Sequence, residues 1–126
     1  MTKSQAIFTF WSGFGYPVYD ETTVPIGDEA PEFPYITFNY SSREFGDGTP
    51  LTLTASFWDR SSSWAKCEQI ADTVGAVVST MRPIQCDNGY VWIRQGSPFA
   101  QRMGDPNDDM IRRMLFTLDV KFITTY

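Results

Sequence analysis

The side chains that could perform chemistry in this sequence are few, and the most closely grouped are carboxylates. Asp105, Asp108 and Asp109 lie near one another along the chain, and neighbouring carboxylates can bind a hard cation such as Ca²⁺ or Mg²⁺. Their spacing does not match an EF-hand loop, and the intervening Pro106 and Asn107 are typical of a turn. A solvated acidic loop is therefore the preferred interpretation, and we predict neither a bound metal nor a cofactor.

The usual catalytic groups are missing from the sequence. It has no histidine, which removes the commonest general base near neutral pH and the usual partner of a serine or cysteine nucleophile. Gly13 and Gly15 lack the spacing and the preceding strand of a phosphate-binding loop. We therefore predict that the protein is not an enzyme. A small-molecule-binding α+β module is the less favoured alternative, and it would need an enclosed apolar pocket with converging polar groups.

The charge balance limits the partners. The chain of 126 residues has a net charge of -5 and a sequence pI of about 4.5, with no run of Lys or Arg. Gripping duplex DNA requires concentrated positive charge, so nucleic-acid binding as the main role is disfavoured. An acidic surface could still line a passage for DNA, because like charges repel and DNA would not adhere.

Length and cysteine content are typical of one domain in a reducing compartment. We predict a single domain over residues 1–126, without a signal peptide or a membrane span of ~18 apolar residues. Cys67 and Cys86 lack metal-site spacing. They are interpreted as buried or half-buried thiols, although their number alone leaves a disulfide open.

Hydrophobic periodicity predicts the secondary structure. Apolar residues at spacings of three and four indicate helices over 4–14 and 64–81. Alternating patterns predict strands, and Asn88-Gly89 predicts a hairpin turn. The predicted strands cover 33–44, 51–58, 84–86, 90–95 and 110–124. We therefore expect an α+β fold, in which one mostly antiparallel sheet of about four to five strands carries two helices on one face.

Three connections complete this prediction. Residues 15–34 form a long loop that is rich in proline and acid. Such a loop is either a solvated connection or an arm that becomes ordered on a neighbouring subunit. Residues 45–50 are predicted to turn, and residues 95–109 to link the last two strands.

Arginine and aspartate side chains near the last strand are candidates for subunit contacts. Arg112 and Arg113 should point to opposite faces of that strand, and arginine is the preferred residue for geometrically specific ion pairs. The alternative is that they are edge charges that discourage stray strand addition. The candidate contact residues are Trp58, Asp59, Arg94, Asp105, Asp109, Arg112 and Arg113.

Short motifs spread over most of the chain carry a family resemblance. They are FGYPVY at 14–19, VP at 24–25, FPYITF at 33–38, FW at 57–58, Trp64 and Ile70 in the second helix, WIR at 92–94, PF at 98–99, DP at 105–106, IRR at 111–113, and Phe122. In their order and spacing they resemble the tail terminator proteins of long-tailed bacteriophages, also called tail completion or head-tail joining proteins.

The resemblance implies a structural virion protein of the tail or neck that is assembled in the host cytoplasm. Such a protein forms a homo-oligomeric ring, usually a hexamer, at the head-proximal end of the tail tube. The ring ends tube polymerisation and contacts the tail tube protein and a head-tail connector or stopper protein. DNA passes through its lumen without specific binding, and no membrane partner is expected. Stoppers and head completion proteins of the neck remain alternatives. Charge reversal at Asp105 or Arg113 is expected to weaken assembly more than folding.

Overall fold

The computed structural model describes residues 1–41 and 50–124. Along the chain it contains α1 (Lys3–Ser12), β1 (Val18–Asp20), a 3₁₀ turn (Gly27–Glu29), β2 (Tyr35–Phe38), β3 (Leu51–Arg60), α2 (Ala65–Thr80), β4 (Ile84–Cys86), β5 (Gly89–Asp105) and β6 (Asp108–Thr124). The predicted α+β class is confirmed. The end of the predicted 33–44 strand and most of the predicted 45–50 turn lie outside the described residues.

The strands form one sheet in the order β1-β2-β3-β6-β5-β4. β1 pairs with β2 in parallel, and the other neighbouring pairs are antiparallel. Within residues 1–41 and 50–124 the sheet has six strands, so the predicted count of about four to five is too low. The additional strand, β1, lies inside the predicted 15–34 loop. It forms because Val18 and Tyr19 follow Pro17, whose carbonyl accepts a hydrogen bond from Ile36 N at 2.8 Å and starts the pairing.

The prediction of a linker over 95–109 is wrong, because these residues belong to a long hairpin of β5 and β6. Gly96 and Pro98 resemble linker residues, but they lie in a register shift between Gln95 and Ala100. A bulge tolerates a proline that cannot donate to the ladder. Strand pairing then resumes as far as Asp105, and only Pro106 and Asn107 separate the two strands.

The two helices pack on the same face of the sheet and enclose the core. In α1, Trp11 packs on Phe116 of β6 with ring centroids 5.6 Å apart. In α2, Gly75 accepts a hydrogen bond through its carbonyl from the Gln95 side chain of β5. The predicted apolar face of the last strand is fully buried and comprises Met114, Phe116, Leu118, Val120 and Phe122.

Local sequence features begin α1 and close the β4–β5 hairpin. At the start of α1, Thr2 and Gln5 form a capping box, which satisfies otherwise unpaired backbone N–H groups. In the β4–β5 hairpin, Asn88 adopts a φ of 59°, as the Asn-Gly signal predicts. Gly89 is required beside it, because a Cβ there would lie 1.7 Å from the carbonyl oxygen of Ile123.

Candidate interaction surface

The sheet face opposite the two helices carries a band of partly exposed side chains, which we call the open face. Strand alternation identifies the residues on this face. Phe57 and Met114 point into the core, so the residues next to them in the chain point to the opposite side of the sheet. Among the described residues, neither helix covers this face. Its larger side chains are Tyr19, Tyr35, Trp58, Tyr90, Trp92, Arg94, Met103, Arg113, Leu115 and Lys121.

One cluster on the open face is built around Trp58. Its ring stacks with Tyr35 at a centroid distance of 6.2 Å and an interplanar angle of 16°. The Arg113 guanidinium lies 4.8 Å from the ring centroid, within cation–π range. The indole N–H donates to Thr37 Oγ1 at 2.9 Å, and Arg113 Nε donates to Ser56 Oγ at 2.9 Å. These bonds hold the tryptophan and the arginine in fixed positions.

A second cluster on the open face is built around Trp92. Arg94 Cζ lies 5.2 Å and Lys121 Nζ 5.5 Å from the centroid of the indole ring. Trp92 and Lys121 are direct cross-strand partners of β5 and β6, and Arg94 is opposite Asp119. The two cations therefore share one aromatic ring, on a surface that is partly open to solvent.

The Trp92 cluster on the open face is basic although the protein as a whole is acidic. Arg94 and Lys121 project there with Asp119 opposite Arg94, whereas Arg113 on the same face shares a cleft with Asp105. Among the described residues, none of these three cations lies within 4.0 Å of a carboxylate oxygen. Their positive charge is thus left available for an external carboxylate.

Three of the predicted contact residues meet at the tip of the β5–β6 hairpin. Trp58, Asp105 and Arg113 line a cleft of about 310 Å³ together with residues of the turn. The Asp105 carboxylate accepts from Asn107 N at 2.8 Å, so it also stabilises the turn. Asp109 is exposed beside this cleft.

The other predicted contact residues do not join this cleft. Asp59 and Arg112 are cross-strand partners on the helix side of the sheet, as the opposite orientation of Arg112 and Arg113 requires. Asp59 is only 5% exposed. Arg112 lies over the Trp64 ring and donates to the backbone carbonyl of Asp109, while its buried Nε has no partner among the described residues. The predicted set is therefore divided between the two faces, with Arg94 in the Trp92 cluster.

Cys67 is buried beside Arg112, whose backbone carbonyl accepts from its thiol at 3.7 Å, and it is a weak nucleophile. Burial raises the pKa of its thiol to about 11, and the nearby Asp59 and Glu68 carboxylates add to the shift. The thiol therefore stays protonated at neutral pH, and a protonated thiol is a poor nucleophile. Cys67 and Cys86 are both free, in agreement with the interpretation of buried or half-buried thiols.

The described residues offer little to a metal or a small ligand. Within 1–41 and 50–124, no group of three or more His, Cys, Asp or Glu side chains is placed to hold a metal ion. Asp108 instead accepts from Met110 N and pairs with Arg60 at 3.1 Å. A cleft of about 420 Å³ lies between the end of α2 and β5, and its lining residues are Val78, Ser79, Met81 and 92–95.

Searches against models of known protein families and against curated proteins find no match to this chain. No helix among the residues described here is both long enough and apolar enough to cross a membrane. The resemblance to tail terminators consequently depends on the motifs alone.

The sequence prediction omits the Trp92–Lys121 pair and Tyr35. Each of these residues alternates with core residues, so the pattern places its side chain outside the core. Their mutual proximity depends on the register, which pairs Tyr35 with Trp58 and Trp92 with Lys121. The available signal was the presence of large aromatic side chains at positions that the alternation assigns to solvent.

Proposed function

We propose that this protein is a structural component of the neck of a long-tailed bacteriophage. In this proposal, copies of the chain form a ring, hexameric by resemblance, at the head-proximal end of the tail tube. The ring ends tube polymerisation and presents its other side to the head-tail connector or stopper protein. A structural role of this kind requires surfaces for binding proteins rather than a catalytic centre.

The observation that carries the proposal is the open face of the sheet. Its exposed side chains are rich in Trp, Tyr and Arg, the residue types that contribute most to protein–protein contacts. A ring of identical subunits needs two different patches on each subunit, since every contact is heterologous. The open face offers one such patch, which extends to the cleft at the hairpin tip with Asp105, and exposed side chains elsewhere on the molecule are available for the second.

Passage of DNA is compatible with this arrangement. When the Trp92 cluster is covered by a protein partner, the surface that remains is acidic, because the whole chain has a net charge of -5. DNA would then be repelled weakly from the lumen rather than held there. A strongly positive lumen in an assembled ring would contradict this part of the proposal.

Deleting the coding sequence from the genome that carries it tests the function. Loss of a terminator should give tail tubes of uncontrolled length, visible by negative-stain electron microscopy. Loss of a stopper or head completion protein should instead give tails of normal length that fail to join heads. Complete infectious particles in the deletion strain would refute every role in the neck.

Complementation with variants then tests the hairpin tip. Asp105→Lys should keep its fold with a small loss of stability, since its carboxylate accepts from Asn107 N, but it should fail to restore particles because Asp105 is partly exposed at the tip. Asp72→Lys, at an exposed position on α2, is the matched control and should complement. Arg113→Glu is less informative, since Arg113 also bonds Ser56 and stacks on Trp58 and its loss should affect folding.

A further inference from the structure

The segment over residues 21–32, which we call the acidic arm, is chemically complementary to the open face. It contains Glu21, Asp28, Glu29 and Glu32, and no Lys or Arg occurs between Lys3 and Arg43. All four of these carboxylate residues are exposed. The arm therefore carries concentrated negative charge on one side of the molecule.

The arm is held at its base and makes few bonds beyond it. Glu21 N donates to the carbonyl of Phe38, and Asp20 accepts from Thr22 N and from Thr22 Oγ1. Farther along, the hydrogen bonds of the described residues stay within the arm, such as Ala30 N to the Gly27 carbonyl at 3.1 Å. Ile26 near its middle is 85% exposed, an unusual state for a large apolar side chain.

The acidic arm and the Trp92 cluster lie near opposite edges of the sheet. The arm follows β1, which is one edge strand, whereas Trp92 and Arg94 lie on β5, next to the opposite edge. β1 and β5 are separated by four inter-strand spacings of about 4.8 Å, or about 19 Å. The arm is therefore anchored about four strands away from its own Trp92 cluster, which leaves that cluster available to the arm of another copy.

We infer that the acidic arm of one copy docks on the open face of the next copy. In this contact, carboxylates of the arm pair with Arg94 and Lys121, and Ile26 covers apolar surface beside Trp92. The contact joins two different patches and so repeats in one direction around a closed ring. The inference rests on the proposed ring and identifies the two surfaces that would form it.

Single-stranded nucleic acid is the competing occupant of a basic, aromatic sheet face. A stacking platform must present free ring faces to the bases. Here the Trp92 ring is occupied by Arg94 and Lys121, and Trp58 lies between Tyr35 and Arg113. The rings are therefore already partnered, and the free groups are cations that suit carboxylates as well as phosphates.

Charge-swapped variants test the contact. The basic-arm variant carries Asp28→Lys, Glu29→Lys and Glu32→Lys, and the acidic-face variant carries Arg94→Glu and Lys121→Glu. Each variant alone should associate more weakly than the wild type, with a dissociation constant raised by about tenfold or more. A mixture of the two should recover association, because each arm then meets a face of opposite charge. Sedimentation velocity measures association of the wild type, of each variant and of the mixture, at low salt because screening weakens such contacts.

Control variants and a second measurement keep the result decisive. Lys66→Glu and Asp72→Lys change exposed charges on α2 and should associate like the wild type. In parallel, a mixture of ¹⁴N- and ¹⁵N-labelled wild-type protein is treated with a carbodiimide, which joins carboxylates to amines in contact. A mixed-isotope peptide pair linking residues 21–32 to Lys121 supports the inference even when association is weak.

Three outcomes would overturn the inference. They are undiminished association of both swapped variants, a folded mixture that does not recover association, and the absence of a mixed-isotope link to Lys121. Binding of a single-stranded DNA oligonucleotide that is lost in the acidic-face variant, without self-association of the wild type, would assign the face to nucleic acid instead. Tube length in the deletion strain is an independent result, so the ring function can stand when this particular contact fails.

Discussion

Gly96 lies in the β5 bulge, and replacing it with alanine should destabilise the protein. A Cβ at this position would lie 2.8 Å from Thr117 Cγ2 and 2.8 Å from the Thr117 carbonyl oxygen. The first of these atoms belongs to a short side chain on a central strand, and the second is backbone. Neither can move far without disturbing the pairing of β6 with both of its neighbours.

Two opposing effects set the size of the change. Overpacking against a rigid neighbour costs about 1–3 kcal/mol. Replacing glycine by alanine stabilises the folded state by about 0.4–1 kcal/mol, because the unfolded chain has less conformational freedom to lose. We therefore expect Gly96→Ala to lower the free energy of unfolding by about 1–2 kcal/mol. For a domain of this size, that corresponds to a Tm lower by about 4–8 °C.

Urea unfolding followed by tryptophan fluorescence measures the free energy directly. Gly104→Ala is the matched control, since a Cβ at Gly104 meets nothing within 4 Å and the residue lies on the same strand. It should be neutral or slightly stabilising. Adding Thr117→Ser to Gly96→Ala removes the methyl group but not the carbonyl, so it should recover only part of the loss. Equal destabilisation by the two alanine variants would refute the steric argument.

Three other predictions follow from the core and from the titrating groups. Phe116→Ala should lower the free energy of unfolding by about 3–5 kcal/mol, because the ring is fully buried between Trp11 and Phe99; urea unfolding measures it. Cys67 should react with a disulfide reagent much more slowly than the half-buried Cys86 at neutral pH, since its pKa is raised to about 11; mass spectrometry of partly labelled protein distinguishes the two. Hydrogen bonds from Thr22 lower the pKa of Asp20 below 3.8. The ionised Asp20 carboxylate therefore stabilises the folded protein fully at pH values above 3.8, and this contribution is lost as the pH falls through the lower pKa of the folded state. Asp20→Asn should remove this part of the acid dependence of the urea midpoint, and an unchanged pH profile would contradict the assignment.

Periodicity predicts the core of this fold well, because burial and alternation are local properties of the chain. The helix over 64–81 is found as Ala65–Thr80, and the apolar face of the last strand is buried as predicted. These elements bury one face against the sheet or the helices. Each apolar stripe therefore appears in the sequence with the period of its own element.

The strand pairing that depends on distant residues was not predictable in the same way. β1 is three residues long and pairs with β2, and three residues are too few to show an alternating pattern in the sequence. Gly96 and Pro98 are local breakers in a segment that tertiary pairing nevertheless keeps extended. In both places, hydrogen bonds to another strand overrode the local preference.

The candidate surface was predictable only in part, for a related reason. The sequence indicates that Arg112 and Arg113 face opposite sides, and the structure places them so. It cannot indicate which aromatic ring each cation meets, since that depends on the register of β3, β5 and β6. Arg94 and Lys121 lie far apart in the sequence and meet on Trp92 only through that register.

The outer edge of β5 has a consequence for the protein before it assembles. β4 pairs with β5 only as far as Val91, so in the part of the chain that the structure describes, residues 92–105 have no strand on that side. A regular edge of this length would recruit strands from any nascent chain and seed aggregates. The irregularity at 95–100 interrupts the row of donors, and Pro98 contributes no N–H at all. The residues that resemble a flexible linker in the sequence therefore interrupt this edge, which should disfavour its pairing with strands of other chains.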